Sequence, residues 1–272
     1  MAKRIVSGVV GVALVVGVLL FNQTCPIVFN IVIALVCVLA THEVFAAMGI
    51  YKFFGILIPT LLFSAVLPLF GYEVFEYAWY VYTVFLFTTM IFMHKVLSFK
   101  DIAVLYSMTM LITVALSCTV TLRDFGGENG TFYVIIALGV AWLSDTGAYF
   151  TGSFFGKHKL CPEISPKKTV EGAVGGFVVS MAGICLVAFG FQLWSLPESV
   201  SVSYWHLLLI AFLGSALSIL GDLSFSLMKR GCHIKDFGNV IPGHGGILDR
   251  FDSVVFVAPF VCYAIRFLPV LV

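Results

Sequence analysis

The sequence predicts an all-α, polytopic integral membrane protein with about nine transmembrane helices. Of its 272 residues, 61% are hydrophobic and only 11% are charged, and the mean hydropathy is +1.08. Soluble domains carry roughly 25% charged residues. Apolar runs long enough to span a bilayer recur along the whole chain. The basic residues gather in alternate loops between these runs, as they do in polytopic membrane proteins.

The apolar runs follow one another with short connections and leave no segment for a soluble domain. We place the helices at about 1–21, 26–48, 54–71, 76–93, 102–122, 131–152, 173–194, 204–227 and 251–270. The first begins with Lys3-Arg4 like a signal peptide, but no small-residue cleavage pattern follows it. We therefore expect a single membrane domain over 1–272, with scaffold and lipid contacts in 1–130 and the catalytic half in 131–272.

Lysine and arginine residues set the expected orientation, because they collect in cytoplasmic loops. With a cytoplasmic N-terminus and nine spans, all but two of the 15 basic residues face the cytoplasm. The exceptions are Arg123 and Arg266, and the C-terminus lies outside. The net charge of +1 gives no reason to expect a nucleic-acid partner. The seven cysteines are scattered singly, which is typical of free thiols.

Charged residues concentrate in 221–252, between two apolar runs. Asp222, Ser226 and Lys229 follow one another at i, i+4 and i+7, so they share a helical face. Further along, Asp249 and Asp252 are i, i+3 neighbours that open the last apolar run, and we expect them to share a face too.

These two groups of carboxylates could form a divalent-cation and polyphosphate site. Magnesium takes oxygen ligands and usually shares them with substrate phosphates. The alternative is a solvated loop with ordinary interfacial charges. Carboxylates beside apolar spans are rare without a role, which favours function for Asp222 and Asp249.

A second polar cluster lies in 142–176. Asp145 and Tyr149 are i, i+4 neighbours on one helix. Pro166, Lys167 and Lys168 precede an expected helix start, where free N–H groups and the helix dipole favour an anion. We expect a function for these two lysines and for the nearby Glu171, and we interpret Lys157 and Lys159 as basic residues of a cytoplasmic loop. Gly172 and Gly176 should form a small-residue face for helix packing.

The polar segments resemble the signature of the phosphatidate cytidylyltransferases, also called CDP-diacylglycerol synthases. The residues that carry the resemblance are Ser226-x-x-Lys229-Arg230, Lys235-Asp236, Pro242-Gly243-His244-Gly245-Gly246 and Asp249-Arg250-x-Asp252. A second block of the family is similar to Ser165-Pro166-Lys167-Lys168-Thr169-x-Glu171-Gly172 and to the region of Asp145. The resemblance covers roughly the C-terminal half of the chain.

This resemblance implies transfer of CMP from CTP to phosphatidate of the inner leaflet, giving CDP-diacylglycerol and pyrophosphate. It implies metal-assisted in-line attack with one or two Mg²⁺ ions, and a second, monovalent ion is compatible with it. The expected location is the inner membrane of a bacterium, with the site facing the cytoplasm, and an oligomer is compatible with this interpretation. The expected catalytic residues are Asp222, Asp249, Lys229 and Arg250, of which Asp222 and Asp249 hold the metal. The expected substrate-binding residues are Lys167, Lys168, Ser226, Arg230, Lys235, His244 and Asp145.

Two other functions stay open at this point. One is a CTP-dependent enzyme that acts on another membrane lipid, such as an isoprenoid. The other is an ion-coupled transporter in which Asp145, Asp222 and Asp249 bind the coupling ion. Transport sites lie near the membrane midplane, whereas these carboxylates fall at cytoplasmic helix ends. Glu43 is either a functional residue or an interfacial side chain that reaches for water.

Overall fold

The computed structural model describes residues 2–22, 24–197, 199–241 and 245–272, and for residues 2–10 and 12 it describes only the backbone. Within these residues the chain forms nine α-helices and one two-stranded sheet. The helices are α1 (Ala2–Phe21), α2 (Pro26–Ala47), α3 (Phe54–Phe92), α4 (Phe99–Gly126), α5 (Gly130–Phe155), α6 (Val170–Trp194), α7 (Tyr204–Gly231), α8 (Leu248–Phe251) and α9 (Val254–Phe267). The strands are β1 (Lys159–Cys161) and β2 (Ser165–Thr169).

Five helical stretches in the described part of the chain are long and apolar enough to cross a membrane. They are Pro26–Ala47, Phe54–Phe92, Phe99–Phe155, Val170–Trp194 and Tyr204–Gly231. The protein is therefore an all-α polytopic membrane protein, as predicted. The number of nine spans and the side of each terminus stay predictions, because two of these stretches are longer than one crossing needs.

The two longest stretches are interrupted where the sequence predicts a break between spans. In α3, Gly71 has φ 76° and ψ −175°, a conformation outside the helical region that glycine adopts readily. A short 3₁₀ turn, Gly127–Asn129, separates α4 from α5. The last predicted helix is shorter than expected, because α9 has only 14 residues.

The described chain divides into two compact units. One consists of 1–120 and 231–250, and the other of 121–230 and 251–272. The single membrane domain divided at residue 130 stays a prediction. Segment 231–250, which carries much of the family signature, belongs to the same unit as the N-terminal helices. The N-terminal helices therefore share a unit with part of the family signature, in addition to any contacts with lipid.

In the first unit, α2 and α3 pack around a core of large buried side chains. Phe45 on α2 is fully buried, and Phe63 stacks on Tyr82 with ring centroids 4.2 Å apart. The Tyr82 hydroxyl donates a hydrogen bond to Thr60 Oγ1 over 3.3 Å. This core fixes the position of the last turns of α2.

In the second unit, α5 and α6 approach each other closely through glycines. A Cβ atom added to Gly172 would lie 2.8 Å from the carbonyl oxygen of Ala148, and one added to Gly176 would lie 2.8 Å from that of Ser144. Backbone atoms come this close only where no side chain intervenes. The predicted small-residue face of Gly172 and Gly176 is confirmed.

The connection between α5 and α6 differs from the sequence-based expectation. Strands β1 and β2 pair antiparallel, with Lys159 opposite Thr169. Lys167 and Lys168 therefore lie on an extended strand, and α6 begins only after Thr169, whose hydroxyl accepts a hydrogen bond from the Gly172 N–H over 3.1 Å. Lys167 and Lys168 thus precede a helix start, as predicted, but they lie on a strand, and Thr169 occupies the N-cap position.

Glu171 in the first turn of α6 has a structural partner. Its carboxylate accepts hydrogen bonds from the backbone N–H groups of Lys157 and His158, over 3.1 Å and 3.2 Å. The Nδ1 atom of His158 lies 2.5 Å from the same carboxylate. Glu171 thus anchors the chain that leads from α5 into the hairpin.

Candidate active site

The second unit contains a cavity of about 410 Å³ between α5, the hairpin, α6 and α7. Four of the residues predicted from the sequence to bind substrate or metal line it: Asp145, Lys167, Lys168 and Asp222. Tyr149, the i+4 neighbour of Asp145 on α5, lines the same cavity. Lys159, which we interpreted as an ordinary loop residue, also lines the cavity, so elements that are far apart in sequence bring two carboxylates and three lysines together.

Asp222 lies on α7 and has partners from two elements. Its carboxylate forms an ion pair with the amine of Lys168 on β2. The hydroxyl of Ser226, one turn further along α7, donates a hydrogen bond to Asp222 Oδ1 over 3.3 Å. This arrangement agrees with the i, i+4 spacing in the sequence. The ion pair joins the two polar clusters that the sequence presents separately.

Asp145 on α5 is held by two serine hydroxyls that the sequence analysis did not identify. Ser218 Oγ donates to Asp145 Oδ1 over 3.0 Å, and Ser253 Oγ donates to Oδ2 over 2.8 Å. Both serines are buried. Because each oxygen has a donor, the carboxylate has one fixed orientation at the wall of the cavity.

Asp252 is a third carboxylate of this unit, and only 7% of its surface is exposed. It lies in the two-residue break between α8 and α9, where its Oδ1 accepts the Ser253 N–H over 2.8 Å. This local bond competes with helix formation. Asp249 and Asp252 therefore do not open one continuous helix, as the sequence analysis expected. Burial, together with the negative charges of Asp222 and Asp145, raises the pKa of Asp252 to about 7.

Asp249 lies on α8 in the first unit. It holds the described parts of the loop between α7 and α8, residues 232–241 and 245–247, which we call the signature loop. Its Oδ2 accepts hydrogen bonds from the N–H groups of Phe237 and Gly246, each over 2.9 Å. The Ile241 N–H donates to the Gly245 carbonyl over 3.0 Å. Gly245 has φ +87°, a conformation that favours glycine.

The remaining predicted residues lie near the ends of these elements. Lys229 and Arg230 occupy the last turn of α7, and the positive charge of Lys229 acts on the carboxyl group of Asp252. Arg250 lies on α8 and is exposed, as is Lys235 in the loop before it. His244 lies outside the described residues. Asp222 and Asp249 belong to different units, so their joint role as metal ligands stays a prediction.

The donors suit a hard cation. Asp145, Asp222 and Asp249 offer carboxylate oxygens, which are the ligands that Mg²⁺ takes. No group of three or more His, Cys, Asp or Glu side chains among the described residues could hold a metal ion by itself. Magnesium characteristically uses one or two carboxylates and completes its shell with water and substrate phosphates. Asp145 and Asp222 at the cavity fit a site of this kind, which the metal shares with substrate phosphates.

Residues 2–268 match the sequence model of the cytidylyltransferase family. The chain belongs to this family. The resemblance carried by the two polar blocks is confirmed, and the aligned range includes every residue that we assigned to the site. The cavity with Asp145, Lys168 and Asp222 is thus a feature of a cytidylyltransferase family member.

Several curated relatives are similar to part of the chain. The phosphatidate cytidylyltransferase of Bacillus subtilis (strain 168) is 48% identical over 136 residues, which is 50% of this chain and 48% of the relative. That of Staphylococcus saprophyticus is 48% identical over 132 residues, and that of Staphylococcus aureus (strain COL) is 43% identical over 136 residues. Each of these alignments covers 48% of both chains. The chain thus spans about half the length of the curated relatives it matches.

Proposed function

We propose that the protein is a phosphatidate cytidylyltransferase, which transfers CMP from CTP to phosphatidate and releases pyrophosphate. The observation that carries this proposal is the cavity in which Lys168 pairs with Asp222 beside Lys167 and Asp145. Such a mixture of lysines and carboxylates suits a polyphosphate with its counter-cation better than a neutral ligand. Membership in the cytidylyltransferase family and the similarity to phosphatidate cytidylyltransferases support the same reaction.

The transfer forms a bond between a phosphatidate phosphate oxygen and the α-phosphorus of CTP, while the bond from that phosphorus to the pyrophosphate oxygen breaks. The attacking phosphate is already ionised at neutral pH, so the protein need not supply a general base. Its tasks are to align the two substrates and to offset negative charge. Asp, Lys and Arg residues without an obvious nucleophile meet these needs.

Lys167 and Lys168 are the residues we assign to substrate phosphate. Lys167 is exposed at the cavity, so its amine can meet a phosphate directly. Lys168 is half-buried and pairs with Asp222, so it exchanges that carboxylate for a phosphate oxygen, or bridges the two, when substrate enters. Ser226, Arg230, Lys235 and His244 complete the proposed substrate-binding set.

Asp222 and Asp249 are the residues we assign to Mg²⁺, and Asp145 lies beside Asp222 at the cavity wall. When bound, the cation offsets the charge of the CTP phosphates and holds them in place. Lys229 and Arg250 supply positive charge in the proposed reaction. We place this site on the cytoplasmic side of a bacterial cell membrane, where CTP is present.

The test is an assay of purified protein in detergent micelles with labelled CTP. Phosphatidate should yield CDP-diacylglycerol and pyrophosphate in equal amounts, whereas an isoprenyl phosphate should yield little CDP-lipid. Faster transfer to the isoprenyl phosphate would assign the protein to another lipid. Absence of any CDP-lipid, together with ion flux in proteoliposomes, would favour the transporter.

A further inference from the structure

Glu43 is a buried carboxylate in a membrane-spanning helix. It lies near the C-terminal end of α2, and only 2% of its surface is exposed. The interpretation as an interfacial side chain that reaches for water is therefore excluded. A carboxylate in such a place is costly unless hydrogen bonds compensate for the lost hydration.

The compensation comes from the signature loop, about 200 residues further along the chain. The Ile247 N–H donates to Glu43 Oε1 over 2.8 Å, and the Leu248 N–H donates to Oε2 over 2.8 Å. Each carboxylate oxygen thus takes one of two consecutive backbone amides. Hydrogen bonds from N–H groups to a carboxylate are roughly twice as strong as those between neutral groups.

Two glycines leave the room that this contact needs. A Cβ atom added to Gly238 would lie 2.5 Å from Glu43 Oε1, and one added to Gly246 would lie 2.5 Å from Oε2. No real Cβ atom lies this close to a carboxylate oxygen. The glutamate carboxylate therefore lies against the backbone of both arms of the loop. Because it approaches so closely, only glycine fits at these two positions.

Glu43 and Asp249 accept hydrogen bonds from successive backbone amides of one short segment. Asp249 takes the N–H of Gly246, and Glu43 takes the next two, those of Ile247 and Leu248. Asp249 also takes the N–H of Phe237, so the two carboxylates hold both arms of the loop. Loss of Glu43 would release the backbone immediately before Asp249.

We propose that Glu43 is a positioning residue for the reaction: it holds residues 237–238 and 246–248 so that Asp249 keeps the orientation in which it serves the metal site. The inference rests on the proposed function of Asp249. Groups that orient a metal-binding side chain typically change metal affinity or activity by about 10- to 100-fold when they are removed. A purely structural glutamate would lower the amount of folded protein without changing the response to Mg²⁺.

The first test is hydrogen–deuterium exchange of the purified protein in detergent without substrate. In Glu43→Ala and Glu43→Gln, peptides covering 245–250 should exchange on the order of 10-fold faster, since the amides of Ile247 and Leu248 lose the buried carboxylate that accepts their hydrogen bonds. Peptides covering 157–170 should be unchanged. Glu76→Gln, which alters an exposed glutamate on α3, is the matched control. Unchanged exchange at 245–250 in Glu43→Ala overturns the proposal.

The second test measures CMP transfer as Mg²⁺ is varied. Glu43→Gln keeps the side-chain volume and should raise the Mg²⁺ concentration for half-maximal rate by about 10- to 100-fold, with the KM for phosphatidate little changed. Gly246→Ala should reproduce this effect, because its methyl group would displace the carboxylate. Faster exchange with an unaltered Mg²⁺ response overturns the positioning role. If wild-type protein transfers no CMP, the proposed function fails, while the exchange data still decide whether Glu43 holds the loop.

Discussion

Lys168 on β2 forms an ion pair with Asp222 on α7. The lysine and the aspartate come from the two polar blocks of the sequence, and the pair makes them parts of one site. An ammonium group and a divalent cation are competitors for the same carboxylate. The ion pair therefore predicts that Lys167 and Lys168, although adjacent in sequence, differ in function.

Changing Lys168 to Gln should lower the rate by about 10²-fold, which is typical of a lost electrostatic contact to the reacting phosphates. It should also shift the Mg²⁺ titration, since Asp222 loses its partner. Lys167→Gln should instead raise the apparent KM for CTP or phosphatidate while leaving the Mg²⁺ response little changed. Steady-state kinetics at several Mg²⁺ concentrations measure both effects.

Lys157→Gln is the control for these variants, because Lys157 is exposed and its backbone N–H makes the contact to Glu171. It should behave as wild type. Identical Mg²⁺ titrations for wild type and Lys168→Gln would show that the ion pair has no part in metal binding.

Asp222 and Asp249 should each be required for the Mg²⁺ response. We expect Asp222→Asn and Asp249→Asn to lower activity by at least about 10²-fold, the scale of a major electrostatic contribution to the transition state. Asn keeps the size of each side chain, so the loss of activity measures the contribution of the negative charge. Near-wild-type rates of both variants at saturating Mg²⁺ would remove these residues from the metal site.

Asp252 should make stability depend on pH. Its pKa is raised from about 3.8 to about 7 in the folded protein, so the folded state binds a proton that the unfolded state has released. The free energy of unfolding should therefore fall as pH rises from about 4 to 7, and this contribution should be flat above that range. Thermal unfolding in detergent with EDTA measures it. Asp252→Asn should have a smaller decrease in Tm between pH 5 and 7, and an equal decrease in both proteins would contradict the assignment.

The loops at 153–172 and 228–250 should face the cytoplasm. Single cysteines in place of Lys159 and Asn239, in a background without the seven native cysteines, should resist an impermeant thiol reagent added to intact cells. Both positions are exposed, so they should react once the membrane is opened. A cysteine at Glu128 is the control expected to react from outside. Labelling of the first two in intact cells would overturn the proposed orientation.

The helices could be predicted from the sequence because hydropathy is a local property. The break in α3 falls at Gly71, the end of a predicted span, and the turn at Gly127–Asn129 falls between two predicted spans, for the same reason. Helical spacing also placed Asp145 with Tyr149 at one cavity, and Asp222 with Ser226 in one hydrogen bond. These are pairs within one helix, where distance in sequence fixes distance in space.

Contacts between distant segments could not be predicted in this way. Glu43 meets the signature loop across 204 residues, and Ser218 reaches Asp145 across 73. No local pattern signals either contact. The hairpin at 159–169 was missed because its strands are too short for an alternating pattern and contain Pro166, which suggested a helix start. The break at Asp252 results from a side-chain bond to the following N–H, which hydropathy does not report.

The most direct measurement of the central claim follows the label of CTP in wild-type protein and in Asp222→Asn. With phosphatidate and Mg²⁺, wild-type protein should move a label at the α-phosphorus into the lipid and a label at the γ-phosphorus into pyrophosphate. Asp222→Asn should do neither at more than about one hundredth of that rate. Transfer of the γ-label to lipid, or equal rates in the two proteins, would contradict CMP transfer at this cavity.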